Sequence, residues 1–270
     1  MAKVKQRIFK VLTPIFIVVV LGVAYMAIAY NSMLNYALKD YPTVAFKPGA
    51  EFFYSREVSQ NIDQLTQQSS DQKSPPLRYL VLGDSTSLGQ GAKDQTDNYS
   101  CQYAQLVLLK QHPAIKIYNL AVSGAKTSDV LAKQVNAAIA LDPDLIMVSI
   151  GANDVTGLTN GEEFRRNYTM ILQQLTRTNA KIVLLNIPAF STSPLLWEPY
   201  KSAAHWQAGK FNEMIQAIAK TEPNIQVVDI YRGTEPDFRR FPKLNFSQDK
   251  FHPSTAGYSV WTRVIAQTLN

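Results

Sequence analysis

Five short apolar runs, separated by stretches with helical spacing, follow one another after Pro76 and leave few folds open to this chain. The runs are residues 77–83, 115–122, 144–150, 181–187 and 225–230; helical patterns occupy 99–111, 128–141, 162–177, 200–220 and 255–268. Strands that alternate with helices make βαβ units, and such units stack into a parallel sheet covered on both faces. Ile146-Met147-Val148-Ser149-Ile150 is apolar nearly throughout instead of alternating, as a strand buried on both sides requires. The expected class is α/β, with three layers (α/β/α) around a mostly parallel five-stranded sheet. No internal repeat interrupts the pattern.

A second constraint sits at the N-terminus. Val11–Tyr30 carries no charge and is apolar almost throughout, and about 20 such residues cross a bilayer core. Lys3, Lys5, Arg7 and Lys10 precede it, the next basic residue is Lys39, and no acidic residue comes before Asp40. The positive-inside rule then keeps the N-terminus in the cytoplasm and sends the rest of the chain across. These four bases carry much of the net charge of +6, and no basic stripe elsewhere suggests nucleic acid as a partner. Ala27-Ile28-Ala29 has the small-x-small form of a signal-peptide cleavage site, but the apolar stretch before it exceeds the usual ~7–15 residues. Residues 1–30 are therefore read as a retained signal-anchor, a transmembrane helix. Cleavage after Ala29 would yield a secreted chain; both readings place the remainder outside the cytoplasm.

Residues 31–76 read as a linker or stalk. Ser59–Pro76 is mostly Gln, Ser, Asp and Lys and ends in Ser74-Pro75-Pro76, a solvated composition. The aromatic residues before it, Tyr41, Phe46, Phe52, Phe53 and Tyr54, leave open an arm that docks back on the domain. Residues 77–270 form the folded domain.

Four patches in that domain carry chemistry: GDSTSLGQG at Gly83–Gly91, SGAKT at Ser123–Thr127, GAND at Gly151–Asp154 and DKFHP at Asp249–Pro253. Ligands of an open parallel α/β sheet bind at the carboxyl ends of the strands. Ser85 follows the first strand, Gly124 the second and Asn153 the third, so all three emerge at one sheet edge. His252 precedes the last helix and can fold over the same edge.

In these motifs the chain resembles the SGNH hydrolases, the GDSL-type esterases and lipases. Gly83-Asp84-Ser85, Gly124, Gly151-Ala152-Asn153-Asp154 and Asp249-Lys250-Phe251-His252 match the family's blocks in order, and the resemblance extends from about Arg78 to Asn270. It implies a flavodoxin-like sheet. It also implies three oxyanion-hole donors: the backbone N–H of Ser85, the backbone N–H of Gly124 and the side-chain amide of Asn153. Ser85 is the expected nucleophile, since a serine hydroxyl beside a base is the simplest route to an acyl-enzyme. His252 is the expected base and then acid. Asp249, three residues earlier, is placed to meet its Nδ1–H and fix its tautomer. Asp84 and Asp154 read as loop braces.

The resulting expectation is an extracytoplasmic serine esterase acting on carboxylic esters, of lipid or of O-acetylated glycan. A sugar O-acyltransferase of the same fold, or an α/β binding module without catalysis, remain as alternatives. No metal or other cofactor is expected, because no His/Cys/Asp set has ligand spacing and no phosphate-binding loop is present. Cys101, a lone thiol on an apolar helix face, reads as a core residue; His112 and His205 read as surface or packing residues. Pro188–Pro199, long for its position and bearing Phe190, Leu195, Leu196 and Trp197, reads as either a wall over an acyl pocket or ordinary packing. Tyr231–Gln248, basic and aromatic, reads as a solvated loop, with recognition of an anionic or sugar-containing group as the alternative.

Overall fold

The computed structural model describes residues 2–37, 39, 49–56 and 75–269, with side chains of the first helix described from Thr13. Six strands form one sheet: β1 (Ala50–Ser55), β2 (Leu77–Gly83), β3 (Ala114–Asn119), β4 (Leu145–Ser149), β5 (Lys181–Leu185) and β6 (Ile225–Val228), in the order β1-β3-β2-β4-β5-β6. All neighbours from β3 to β6 run parallel. Strand β2 shows why an unbroken apolar run is needed here. Tyr79 and Val81 enter one apolar layer, Leu80 and Leu82 the other, and all four are fully buried. The same split separates Ile146 and Val148 from Leu145 and Met147 in β4.

One face is covered by α4 (127–140), α6 (Gly161–Leu175) and α7 (Tyr200–Ala219), the other by α3 (99–111) and α10 (Thr255–Leu269). Phe164, Tyr168, Ile171 and Leu175 bury one stripe of α6 at helical spacing, and Asn160 caps it by accepting from the Glu163 N–H at 2.9 Å. Helix α3 carries a π turn at Ala104–Leu108, and α4 one at Val130–Gln134. Cys101 is a buried free thiol, and burial pushes its pKa up to about 11.

The expected three-layer α/β/α architecture is present, with two corrections. The sheet has six strands, not five, because β1 comes from the stretch read as linker or stalk. It pairs antiparallel with β3, its residues alternately half-buried and exposed, with Phe52 and Tyr54 packing on the core. A parallel sheet otherwise ends in unpaired backbone at β3, and β1 caps that edge. The Gln- and Ser-rich linker at 57–74 lies outside the described residues, as do Tyr41 and Phe46. Second, much of Tyr231–Gln248 is helical: α8 (Ile230–Arg240) and α9 (Pro242–Asn245). Asp229 caps α8 through the Arg232 N–H, and Ile230, Thr234 and Phe238 bury one side of it at four-residue spacing. Gly233 and Pro236 lower its intrinsic helix propensity, and packing overrides them.

The N-terminal helix α1 (Ala2–Ala37) contains Thr13–Tyr36, long and apolar enough to cross a membrane. It is exposed from Pro14 through Ile28 and then meets the domain at Ala29, which is fully buried. The Tyr36 hydroxyl donates to the Gln248 carbonyl at 2.8 Å, and the Tyr200 hydroxyl to the Met26 carbonyl at 3.2 Å.

Candidate active site

The chain leaves β2, places β3 to one side, and crosses over to place β4 on the other. That reversal opens a crevice at the carboxyl end of β2. Ser85 stands there as the first residue of α2 (Ser85–Leu88), its side chain buried at the crevice floor. Asp84 caps this short helix, its Oδ1 accepting from the Thr86 N–H at 2.9 Å and the Thr86 hydroxyl at 2.8 Å. Burial pushes the Asp84 carboxyl up to about 6, against the pull of those donors and of His252.

His252 arrives from the far end of the chain. Its loop closes through a bridge between Phe246 and Pro253 and through the Ser247 N–H donating to the His252 carbonyl at 2.9 Å. The loop lies directly on the serine loop. A Cβ on Gly91 (φ 96°) would stand 2.4 Å from the Pro253 carbonyl oxygen and 3.0 Å from the His252 Cβ, so only glycine permits this approach. His252 Nε2 lies 2.8 Å from Ser85 Oγ, and its Nδ1 lies 2.6 Å from Asp249 Oδ2. The other carboxylate oxygen accepts from the Ser247 hydroxyl at 2.7 Å and from the Phe251 and His252 N–H groups, each at 2.8 Å. Burial opposes ionisation of Asp249, but His252 and these donors outweigh it and hold the carboxyl at about 2. An ionised Asp249 takes the Nδ1–H and leaves the Nε2 lone pair facing the serine hydroxyl.

Gly124 and Asn153 complete the edge. Gly124 lies exposed with φ 78°, and nothing stands within 4 Å of where a Cβ would be. Among the described residues neither its N–H nor that of Ser85 donates to the backbone. Asn153, in α5 (Ala152–Thr156), donates one amide hydrogen to the Ala125 carbonyl at 3.0 Å and keeps the other. Asp154 ties the same two loops together: its carboxylate accepts from the Thr127 N–H at 2.9 Å and the Thr127 hydroxyl at 2.8 Å. Burial raises its pKa against those bonds.

Two further amides hold this edge, with roles that the motifs do not spell out. Gln134 meets both backbone groups of Gly83 at 2.9 Å, and Asn119 donates to the Ser87 carbonyl at 2.8 Å. Both are buried; an amide in an otherwise apolar helix face or at a strand end was the available signal. Of the 188–199 segment, Leu195 and Leu196 line a cavity of about 820 Å³ beside His252 and Asp249, while Phe190 is buried in the core. Tyr30, Met33 and Leu34 of α1 line the same cavity. His205 lies 2.9 Å from the Tyr231 hydroxyl and stacks on that ring, and the His112 carbonyl accepts from Arg56. Among the described residues no group of three or more His, Cys, Asp or Glu could hold a metal ion.

Residues 81–260 match the GDSL-like lipase/acylhydrolase family. The chain is 26% identical to a GDSL-like esterase of Mycobacterium tuberculosis over 68% of its own length, and spans 59% of that relative. It is 24% identical to a spore germination lipase of Bacillus licheniformis, covering 70% of this chain and 94% of the relative. Its fold is that of an acetylxylan esterase from Geobacillus stearothermophilus, with a TM-score of 0.54 at 20% identity over 71% of this chain and 93% of that one. A lipase from a goat rumen metagenome aligns with a TM-score of 0.58 at 22% identity, over 72% and 97% of the two chains. The chain belongs to the GDSL-like lipase/acylhydrolase family.

Proposed function

We propose that this member of the GDSL-like lipase/acylhydrolase family is a membrane-anchored, extracytoplasmic serine esterase that cleaves carboxylic esters through an acyl-enzyme. The observation that carries the reading is the hydrogen-bonded line from Ser85 Oγ to His252 Nε2 at 2.8 Å and from His252 Nδ1 to Asp249 at 2.6 Å. Ser85 Oγ attacks the ester carbonyl carbon as His252 Nε2 takes its proton. The carbonyl oxygen becomes an oxyanion, and the Ser85 N–H, the Gly124 N–H and the free amide hydrogen of Asn153 donate to it. Asp249, ionised at neutral pH, stabilises the imidazolium. His252 then returns the proton to the leaving alcohol. Water, deprotonated by His252 in turn, releases the acid from Ser85.

Residues 77–270 form the catalytic domain of this reading, with β1 added to its sheet. Residues 1–30 are the anchor, oriented by the bases before Val11. The scheme uses no metal or cofactor. The test is labelling of the full chain by a fluorophosphonate, together with turnover of p-nitrophenyl acetate. Labelling at Ser85 that disappears in His252→Ala is expected. A chain that neither labels nor turns over the ester would be a binding module. Orientation is tested separately by a cysteine placed at exposed Glu213: reaction with an impermeant maleimide in intact cells is expected, and its protection would reverse the topology.

A further inference from the structure

The end of the membrane helix forms one side of the cavity at the catalytic histidine. Tyr30, Met33 and Leu34 line it together with Leu158, Leu196, Trp206 and His252. The contact is a stripe. Met26, Ala29, Tyr30, Met33 and Tyr36 recur at three- and four-residue spacing on one face of α1. Along it the Tyr30 and Tyr200 rings lie 6.1 Å apart, the Trp197 N–H lies 3.3 Å from the Met33 sulfur, and the Lys250 ammonium sits 4.2 Å from the centre of the Tyr36 ring.

The depth of this contact follows from helix geometry. Val11–Tyr30 rises about 30 Å, the thickness of the hydrocarbon core. Met26, which accepts the Tyr200 hydroxyl, lies about 6 Å inside the end of that run. Met33 and Leu34 lie about 5 Å beyond it. With Val11–Tyr30 as the anchor's span, the domain rests on the membrane surface and the cavity opens at headgroup depth. The cavity rim has the matching character. Leu158 is 86% exposed and held at φ 54°, a conformation a leucine seldom adopts. Trp206 is 63% exposed; Trp197, outside the cavity lining but against Met33, is 44% exposed. Tryptophan and tyrosine are the residues of membrane interfaces, and clustered exposed apolar side chains mark a docking surface.

We propose that the outer end of α1 is a specificity wall of the active site, and that the cavity takes its ester from the leaflet in which the helix stands: an acyl-chain lipid, its chain against Met33 and Leu34 and its ester at Ser85. This rests on the esterase reading above and narrows its substrate. A chain entering from the leaflet slides along the helix that anchors the enzyme and stays out of water until its ester reaches the serine. A soluble acetylated glycan gains nothing from an apolar wall at this depth.

Two measurements on the full chain in phosphatidylcholine vesicles test it. The three tryptophans are Trp197, Trp206 and Trp261, none of them in α1, and Trp261 is buried. Lipids brominated near the headgroup end of their chains should quench the fluorescence, and the double substitution Trp197→Phe and Trp206→Phe should remove the quenched component. Fluorescence indifferent to the brominated lipid overturns the seating. Met33→Trp and Leu34→Trp should each lower the ratio of p-nitrophenyl decanoate to p-nitrophenyl acetate turnover (kcat/KM) at least tenfold. A ratio within twofold of the parent overturns the wall, as does faster turnover of a soluble acetylated oligosaccharide than of a diacylglycerol in the same vesicles. Fluorophosphonate labelling of Ser85 in the parent separates the two readings: where it persists, only the leaflet assignment falls, and where it is absent, the esterase reading falls and takes the wall with it.

Discussion

Replacing Asp249 by asparagine changes one atom at a position where geometry makes the consequence specific. Oδ1 accepts from Ser247, Phe251 and His252, and the asparagine oxygen can keep all three. The other atom, 2.6 Å from His252 Nδ1, becomes an NH₂ group. It donates, so Nδ1 must accept and the ring proton moves to Nε2. Nε2–H then faces Ser85 Oγ and can no longer take its proton. Loss of the correct tautomer costs about 10⁴ in kcat. Stability changes too. The carboxyl is held at about 2 against an ordinary 3.8, and a displacement of that size corresponds to about 2 kcal/mol. Because the folded pKa is the lower one, this stabilisation is present above pH ~4 and is lost as the pH falls towards 2. Asp249→Asn should therefore lower the urea midpoint at neutral pH and flatten its acid dependence between pH 4 and 2. Titrimetric turnover of a short-chain ester and urea melts in detergent measure both. A variant that keeps more than a tenth of parental kcat would refute the tautomer argument.

The remaining predictions concern the edge around the triad. Asn153→Ala should cut kcat about 10²–10³-fold while costing the fold about 1 kcal/mol for the bond to Ala125; kinetics beside a thermal melt separate the two. Gly91→Ala forces the His252 loop away, through a contact of 2.4 Å with the Pro253 carbonyl, and should lower kcat about 10²-fold without loss of the far-UV spectrum. Asp84 has its pKa raised to about 6 by burial. Its contribution is therefore fully present below pH ~4 and falls as the pH rises through 6, about 3 kcal/mol in all. Asp84→Asn, which can still accept from Thr86 through its amide oxygen, should remove that slope from urea midpoints taken between pH 4 and 7.

Much of the molecule was readable because its signals are local. An apolar run buried on both faces can be recognised without a partner strand, and β2, β4 and β5 were. Asp249 and His252 sit three residues apart, so a single turn joins them. Strand β1 was hidden because Ala50–Ser55 pairs only with β3, more than fifty residues away. Helix α8 was hidden because Gly233 and Pro236 obscured a buried stripe that shows only against α10 and the sheet. Gln134 and Asn119 gave weak signals, since a polar side chain in an apolar pattern says that a partner exists and not which one.

The sequence by itself determined the α/β layering, the family and the order in which four motifs reach one sheet edge, because periodicity and motif spacing are properties of neighbouring residues. The tertiary structure alone decided how close His252 comes to Ser85, since that distance is set by a glycine 161 residues before the histidine in the chain. It alone also brought Tyr30, Met33 and Leu34 to the cavity. A helix apolar on every side carries no periodic mark of which face will be covered, and only packing against Trp197 and Tyr200 selects one.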